Sequence, residues 1–176
     1  MIEMRFHGRG GQGTVKGCQV LAKALIRGGH FAQFIPAFGV ERKGSPVYGY
    51  FRLDDQKIRI NCQVYQPDIV VISDASLVKS VPVFEGMRPG GKVVINFAGS
   101  PDDLHVPDGV SVTAVDATEL AQQTIGSPIP NTVMLGGIAS VLDAIDHAIL
   151  REEIARAFGD KNAAAFDAGV KNAVMR

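Results

Sequence analysis

Six residues near the amino terminus, Gly8-Arg9-Gly10-Gly11-Gln12-Gly13, have the types and spacing to receive a phosphate group. They fit G-x-G-x-x-G between a strand-like run and a helix-like one. Glycines there permit a tight turn and close approach of a ligand, and they leave backbone N–H groups aimed at an anion on the helix N-terminus. The groups that would select a nucleotide are absent. A dinucleotide site needs an acidic side chain at the end of the second strand, about 20 residues on. That strand, Phe31-Ala32-Gln33-Phe34-Ile35-Pro36, has no Asp, Glu or Arg. Thr14 stands where the lysine of G-x-x-x-x-G-K-[ST] belongs, and Val15 where its hydroxyl residue belongs. Three readings stay open: a bare β-to-α turn, a phosphate-group site and a dinucleotide site. Arg9 and Gln12 are the side chains that would make the turn a polar contact site.

A second candidate is the charged run Glu41-Arg42-Lys43 in the irregular stretch 37–46, with Ser45-Pro46 ordering its exit. Loops on rigid scaffolds carry contacts, so a partner contact is expected, against a plain solvated charge run. Asn131 is expected as a helix N-cap, with a ligand or subunit contact as the other role. Asp74 and Asn96 follow strand-like runs, so they line the carboxyl edge of the sheet or make turns. His7, His30, His105 and His147 show no metal-ligand spacing, and no nucleophile–base arrangement is legible. No metal and no catalytic residue is therefore assigned to this chain.

The elements that must position these residues follow from periodicity. A strand is expected over 2–7, a helix over Thr14–Arg27 stopped by Gly28-Gly29, and a strand over Phe31–Pro36. Val47–Leu53 and Ile58–Gln63 read as a hairpin, which places Cys62 in a strand. Ile69–Ser73, Lys92–Asn96 and Val110–Val115 read as strands, the first two of the kind buried on both faces. Helices are expected within 76–87, over 117–124, from Asn131 to about Ala148, near 150–158 and over 161–174. The small residues Gly136, Gly137, Ala139 and Ser140 predict close helix packing, and the C-terminal helices a docking arm. Together these give an α/β class: a three-layer Rossmann-like domain with a mainly parallel sheet, an antiparallel hairpin insert and C-terminal helices, residues 1–176 forming a single domain.

Composition narrows the function. The chain has 176 residues, 18 Lys+Arg against 18 Asp+Glu, and two cysteines. Zero net charge argues against a nucleic acid or anionic membrane partner. Two thiols are too few for an iron–sulfur cluster, which takes about four. No signal peptide or apolar run of membrane length is seen, so the expected compartment is the cytoplasm, with Cys18 a buried apolar residue. Glycine is 20 of 176, above the usual share of about 7%, and five of the twenty lie between Gly8 and Gly17.

Three blocks carry a resemblance. His7-Gly8-Arg9-Gly10-Gly11-Gln12-Gly13, then Pro36-Ala37-Phe38-Gly39-Val40-Glu41-Arg42-Lys43-Gly44-Ser45-Pro46-Val47, then Pro130-Asn131-Thr132-Val133-Met134-Leu135-Gly136-Gly137 occur in the order and spacing of one family. The chain resembles the gamma subunits of 2-oxoacid:ferredoxin oxidoreductases, which include the pyruvate, 2-oxoglutarate and branched-chain oxoacid enzymes. The resemblance implies an enzyme complex that oxidatively decarboxylates a 2-oxoacid to an acyl-CoA and passes electrons to ferredoxin. It implies thiamine diphosphate, Mg2+, 4Fe-4S clusters and CoA in the complex, none held by this chain alone. It also implies alpha, beta and possibly delta subunits as partners. Cofactor contact is expected at Gly8, Gly10, Gly11, Gln12, Gly13 and Asn131, and subunit contact at Arg9, Glu41, Arg42, Lys43 and Ser45. The alternative is an autonomous CoA- or nucleotide-binding module.

Overall fold

The computed structural model describes residues 1–37 and 44–176. Glu41, Arg42 and Lys43, the core of the expected charged contact, lie outside the described residues.

Strand β1 (Ile2–Arg9) alternates cleanly: Met4 and Phe6 are buried toward the helices, while Glu3, Arg5 and His7 point to the other face. Helix α1 (Thr14–Arg27) buries Cys18, Leu21 and Leu25, and the Gly28 N–H bonds back to the Ala24 carbonyl to end it. There follow β2 (Phe31–Ala37), β3 (Pro46–Asp54) and β4 (Ile69–Ile72), whose four residues are all buried. Then come a 3-10 turn (Ala75–Lys79), β5 (Lys92–Asn96), a second 3-10 turn (Pro101–Asp103) and β6 (Ser111–Val115). The chain continues with α2 (Ala117–Ile125), α3 (Asn131–Ala139), α4 (His147–Phe158), α5 (Asp160–Asn172) and the short β7 (Val174–Met175).

The sheet order is β2-β3-β1-β4-β5-β6-β7. The four strands β1, β4, β5 and β6 run parallel, and the antiparallel pairings lie at the flanks. This is the expected Rossmann-like α/β arrangement. One face packs Phe51, Val71, Val94 and Val115 against the helices. The other face, with Val70, Ile72, Val93 and Ile95, is covered by the 3-10 turns and loops through Leu77, Val83 and Phe84.

The antiparallel hairpin joins β2 to β3, so the expected pairing of 47–53 with 58–63 does not form. Both edges of β3 are already taken, by β1 and by β2. The carbonyls of Cys62 and Gln63 accept from the Arg52 guanidinium, at 2.9 and 3.1 Å, instead of from a strand. Cys62 is thus an exposed loop residue, whereas Cys18 is buried as expected. The segment 76–87 is helical only as the turn Ala75–Lys79, since Pro82 and the positive φ of Gly86 (69°) break any continuation.

Helix α3 ends at Ala139, short of Ala148, because Asp146 opens a new helix by accepting from the Ile149 N–H at 3.0 Å. The C-terminal helices are not a docking arm. Phe166 of α5 is 1% exposed and belongs to the main core. A Cβ on Gly136 would sit 2.5 Å from the Phe166 carbonyl oxygen, so α3 and α5 touch backbone to backbone, the close packing that the small residues predicted.

Candidate functional site

The strand order reverses at β1. Its neighbours β3 and β4 come from later in the chain on opposite sides, and an α/β sheet opens a crevice at the carboxyl ends of strands at such a point. The glycine loop leaves β1 there, beside the turn that leaves β4. Arg9 Nε lies 2.9 Å from Asp74 Oδ2, and its Nη2 donates to Ser76 Oγ at 2.9 Å. Gln12 closes the loop on itself, with Oε1 accepting from the Arg9 N–H at 2.7 Å and Nε2 donating to Asp74 at 3.3 Å. Asp74 also accepts from the Ser76 N–H and hydroxyl. Burial works to raise the Asp74 pKa, but the Ser76 bonds and the Arg9 charge outweigh it and hold the carboxyl below its ordinary value.

The loop is also tied to the strand that follows the charged segment. Gly10 donates to the Ser45 carbonyl at 2.9 Å, Gly44 donates to the Gly10 carbonyl at 3.2 Å, and Arg9 Nη1 reaches the Gly44 carbonyl at 3.0 Å. Arg9, Gln12 and Ser45 therefore set the loop's shape. Gly11 (φ 95°) and Gly13 (φ 72°) occupy backbone conformations that side chains disfavour, and a Cβ on Gly8 would lie 2.5 Å from Thr14 Oγ1.

Asn131, expected as the N-cap, is instead the first residue of α3, and the cap position falls on Pro130. Its Oδ1 accepts from the Thr132 N–H at 2.9 Å, and its Nδ2 contacts the Gly13 carbonyl at 3.5 Å. It thus packs α3 on the end of the glycine loop. Asn96 does turn chemistry: it accepts from the Ala117 N–H at 2.9 Å and the Thr118 N–H at 3.2 Å at the start of α2.

These pieces enclose a cavity of about 560 Å³. Arg9, Gly10, Gly11, Gly13 and Asn131 line one side, with Thr14 and Lys16 from the first turn of α1. Val47, Ile125, Ile129 and Phe158 form an apolar wall. The N-terminus of α1 carries no side-chain cap and no acidic residue in its first turn, so its N–H groups and dipole favour an anion. Thr14 is 8% exposed, and among the described residues its Oγ1 has no hydrogen-bond partner. That hydroxyl packs under Gly8, 2.5 Å from where a Cβ there would sit, so it seals the base of the loop instead of lining the cavity. The apolar wall has no sequence signal, because its residues come from β3, α2, the loop before α3, and α4.

His7 closes the underside of the loop. It is 3% exposed and its Nδ1 also lacks a partner among the described residues. Burial first, then the nearby Arg5 charge, lower its pKa to about 4, so it is neutral at physiological pH. Among the described residues no group of three or more His, Cys, Asp or Glu is placed to hold a metal, and no helix is long and apolar enough to cross a membrane.

The fold and site define a Rossmann-like domain with a glycine loop between its first strand and first helix. The pyruvate ferredoxin/flavodoxin oxidoreductase family model matches residues 3–172, and the chain belongs to that family. Pyruvate synthase subunit PorC of Methanocaldococcus jannaschii is 46% identical over 169 residues, covering 94% of this chain and 93% of the relative. The common gamma subunit of the pyruvate/ketoisovalerate oxidoreductases of Thermococcus kodakarensis is 41% identical over 184 residues, covering 99% and 98%. The crystal structure of pyruvate oxidoreductase subunit PORC from Thermotoga maritima superposes with a TM-score of 0.87 at 29% identity, covering 99% and 97%. The chain is accordingly a gamma-type subunit of a 2-oxoacid:ferredoxin oxidoreductase, not catalytic alone, and the autonomous-module reading is not favoured.

Proposed function

We propose that this chain serves a cytoplasmic complex acting on pyruvate, and that its glycine-loop cavity holds CoA, the acyl acceptor. Relatives named pyruvate synthase subunits support the substrate. The observation that carries the site is the acid-free, uncapped start of α1 opening on a cavity lined by both polar and apolar groups.

The residues present fit CoA. The first N–H groups of α1 donate to a phosphate, Lys16 supplies positive charge at the rim, and Val47, Ile129 and Phe158 accept the apolar parts. CoA supplies the thiol that carries away the acyl group. Thiamine diphosphate with Mg2+ and the 4Fe-4S clusters belong, on this reading, to the alpha, beta and delta partners, and ferredoxin takes the electrons.

Calorimetric titration of CoA into the purified complex tests the assignment. Lys16 is exposed and expendable for folding, so Lys16→Glu is expected to weaken binding at least tenfold while leaving the melting temperature in place. Equal affinity in the variant would remove CoA from this loop and leave the bare-turn reading.

A further inference from the structure

Tyr48 and Tyr50 lie away from the cavity, on the sheet face opposite Phe51 and Leu53, and Tyr65 is near enough to act on the Tyr50 phenol. Pairing of β1 with β3 sets Arg5 opposite Tyr50 and His7 opposite Tyr48, and pairing of β2 with β3 sets Ile35 beside Tyr50. The His7 and Tyr48 rings meet edge to face at 5.4 Å. Tyr50 is half-buried: burial raises the pKa of its phenol, the Tyr65 and Tyr48 phenols act in the same direction, and the Arg5 charge opposes them. Tyr65, on the segment that crosses this end of the sheet, is 68% exposed, and Phe31 on β2 is 46% exposed.

Arg5 lies among these rings with only neutral acceptors. Its Nε donates to His7 Nε2 at 3.1 Å, and its Nη2 donates to the carbonyls of Val83 at 2.9 Å and Glu85 at 2.6 Å. Among the described residues no carboxylate forms an ion pair with it, in contrast to Arg52 on the same face, which is 2.9 Å from Glu3. Burial depresses the Arg5 pKa, and the attractions of Tyr50 and the more distant Glu85 do not cancel that effect. A half-buried guanidinium with no ion-paired carboxylate among the described residues is a cost in the free chain, relieved when a partner brings one. Tyr and Arg are also the residue types that anchor protein interfaces.

We propose that the face bearing Arg5, Tyr48 and Tyr50, flanked by Tyr65, is where another subunit of the oxidoreductase docks, setting a carboxylate on Arg5 and apolar side chains on the tyrosine rings. The inference rests on the reading of the chain as one subunit of a complex. A small-molecule site is the weaker fit here, because the large cavity opens at the glycine loop and includes none of these four residues.

The test is nitration by tetranitromethane, with the modified tyrosines located by mass spectrometry, on the complex purified through a tag on this chain and on the free full chain. Assembly is expected to slow modification of Tyr65 and Tyr48 at least fivefold. Arg5→Glu should cut co-purified partner at least tenfold, and Arg5→Lys should retain it. Because Arg5 also braces the Val83–Glu85 segment, Tyr65→Ser is the control variant: its exposed ring is not needed for folding, and its loss should still lower partner recovery severalfold. Partners that co-purify with the tyrosines still reactive would overturn the docking face alone. Absence of any partner would overturn the subunit reading and this inference with it. Protection in the free chain at the same concentration would assign the face to a second copy and overturn the proposal.

Discussion

Replacing Thr14 by valine separates what the fold needs from what a ligand needs. The two side chains are nearly isosteric and have similar helix propensity, so the change exchanges one hydroxyl for a methyl group. In the free protein that hydroxyl is buried and unpartnered among the described residues. An unsatisfied buried polar group costs about 1–3 kcal/mol. Thr14→Val is therefore expected to stabilise the free chain by about 1 kcal/mol, which for a domain of this size is roughly 2–4 °C in melting temperature. The hydroxyl is sealed against Gly8, so bound CoA leaves that gain in place. The ligand is held by backbone N–H groups at the start of α1, so the variant should bind CoA within about twofold of the unmodified protein. Differential scanning calorimetry with and without CoA reads both effects from one sample pair. A variant that melts lower without ligand would show that the hydroxyl is satisfied in the free protein. A variant that binds CoA about tenfold or more weakly would show that the hydroxyl reaches the ligand. Either result refutes the reasoning.

Gly136→Ala should destabilise the protein by about 3 kcal/mol, the upper range for overpacking, because its Cβ would meet the backbone of α5 at Phe166 and Val170 with no flexible atom to yield; urea unfolding checks this. His7 has a folded pKa of about 4 against an unfolded value of about 6.5, so the unfolded state takes up its proton first as pH falls. Its contribution is complete above about pH 6.5 and is lost as pH falls toward 4, a loss of about 3 kcal/mol that His7→Gln should abolish in a pH series of unfolding curves. Asp74 has a lowered pKa, so it stabilises the fold above its unfolded value of about 3.9 and loses that contribution in stronger acid. Asp74→Asn should therefore lower the melting temperature at pH 7, with the difference closing below about pH 4.

The central strands and α1 were legible because each has one dominant signal. Ile69–Ile72 and Lys92–Asn96 are short apolar runs, and Cys18 and Leu25 share one face of a helix closed by Gly28. The hairpin was misplaced because Ile58–Gln63 has strand-like residues, while the decision was made by competition for the edges of β3 and by the buried Arg52 guanidinium, both long-range effects. The split between α3 and α4 turned on the cap at Asp146, within a stretch whose apolar spacing continues through it. At the site, the glycine loop and its backbone conformations followed from the motif. The roles of Arg9 and Gln12 did not, because both are spent on Asp74 and on the loop itself, and only the adjacency of β1 and β4 brings Asp74 there.

Affinity purification of the tagged chain, with the eluate assayed for ferredoxin reduction, tests the central claim most directly. The account predicts co-purified subunits carrying thiamine diphosphate and iron–sulfur clusters, and reduction that requires both pyruvate and CoA. A chain that elutes alone, or an eluate that reduces ferredoxin equally well without CoA, would contradict it.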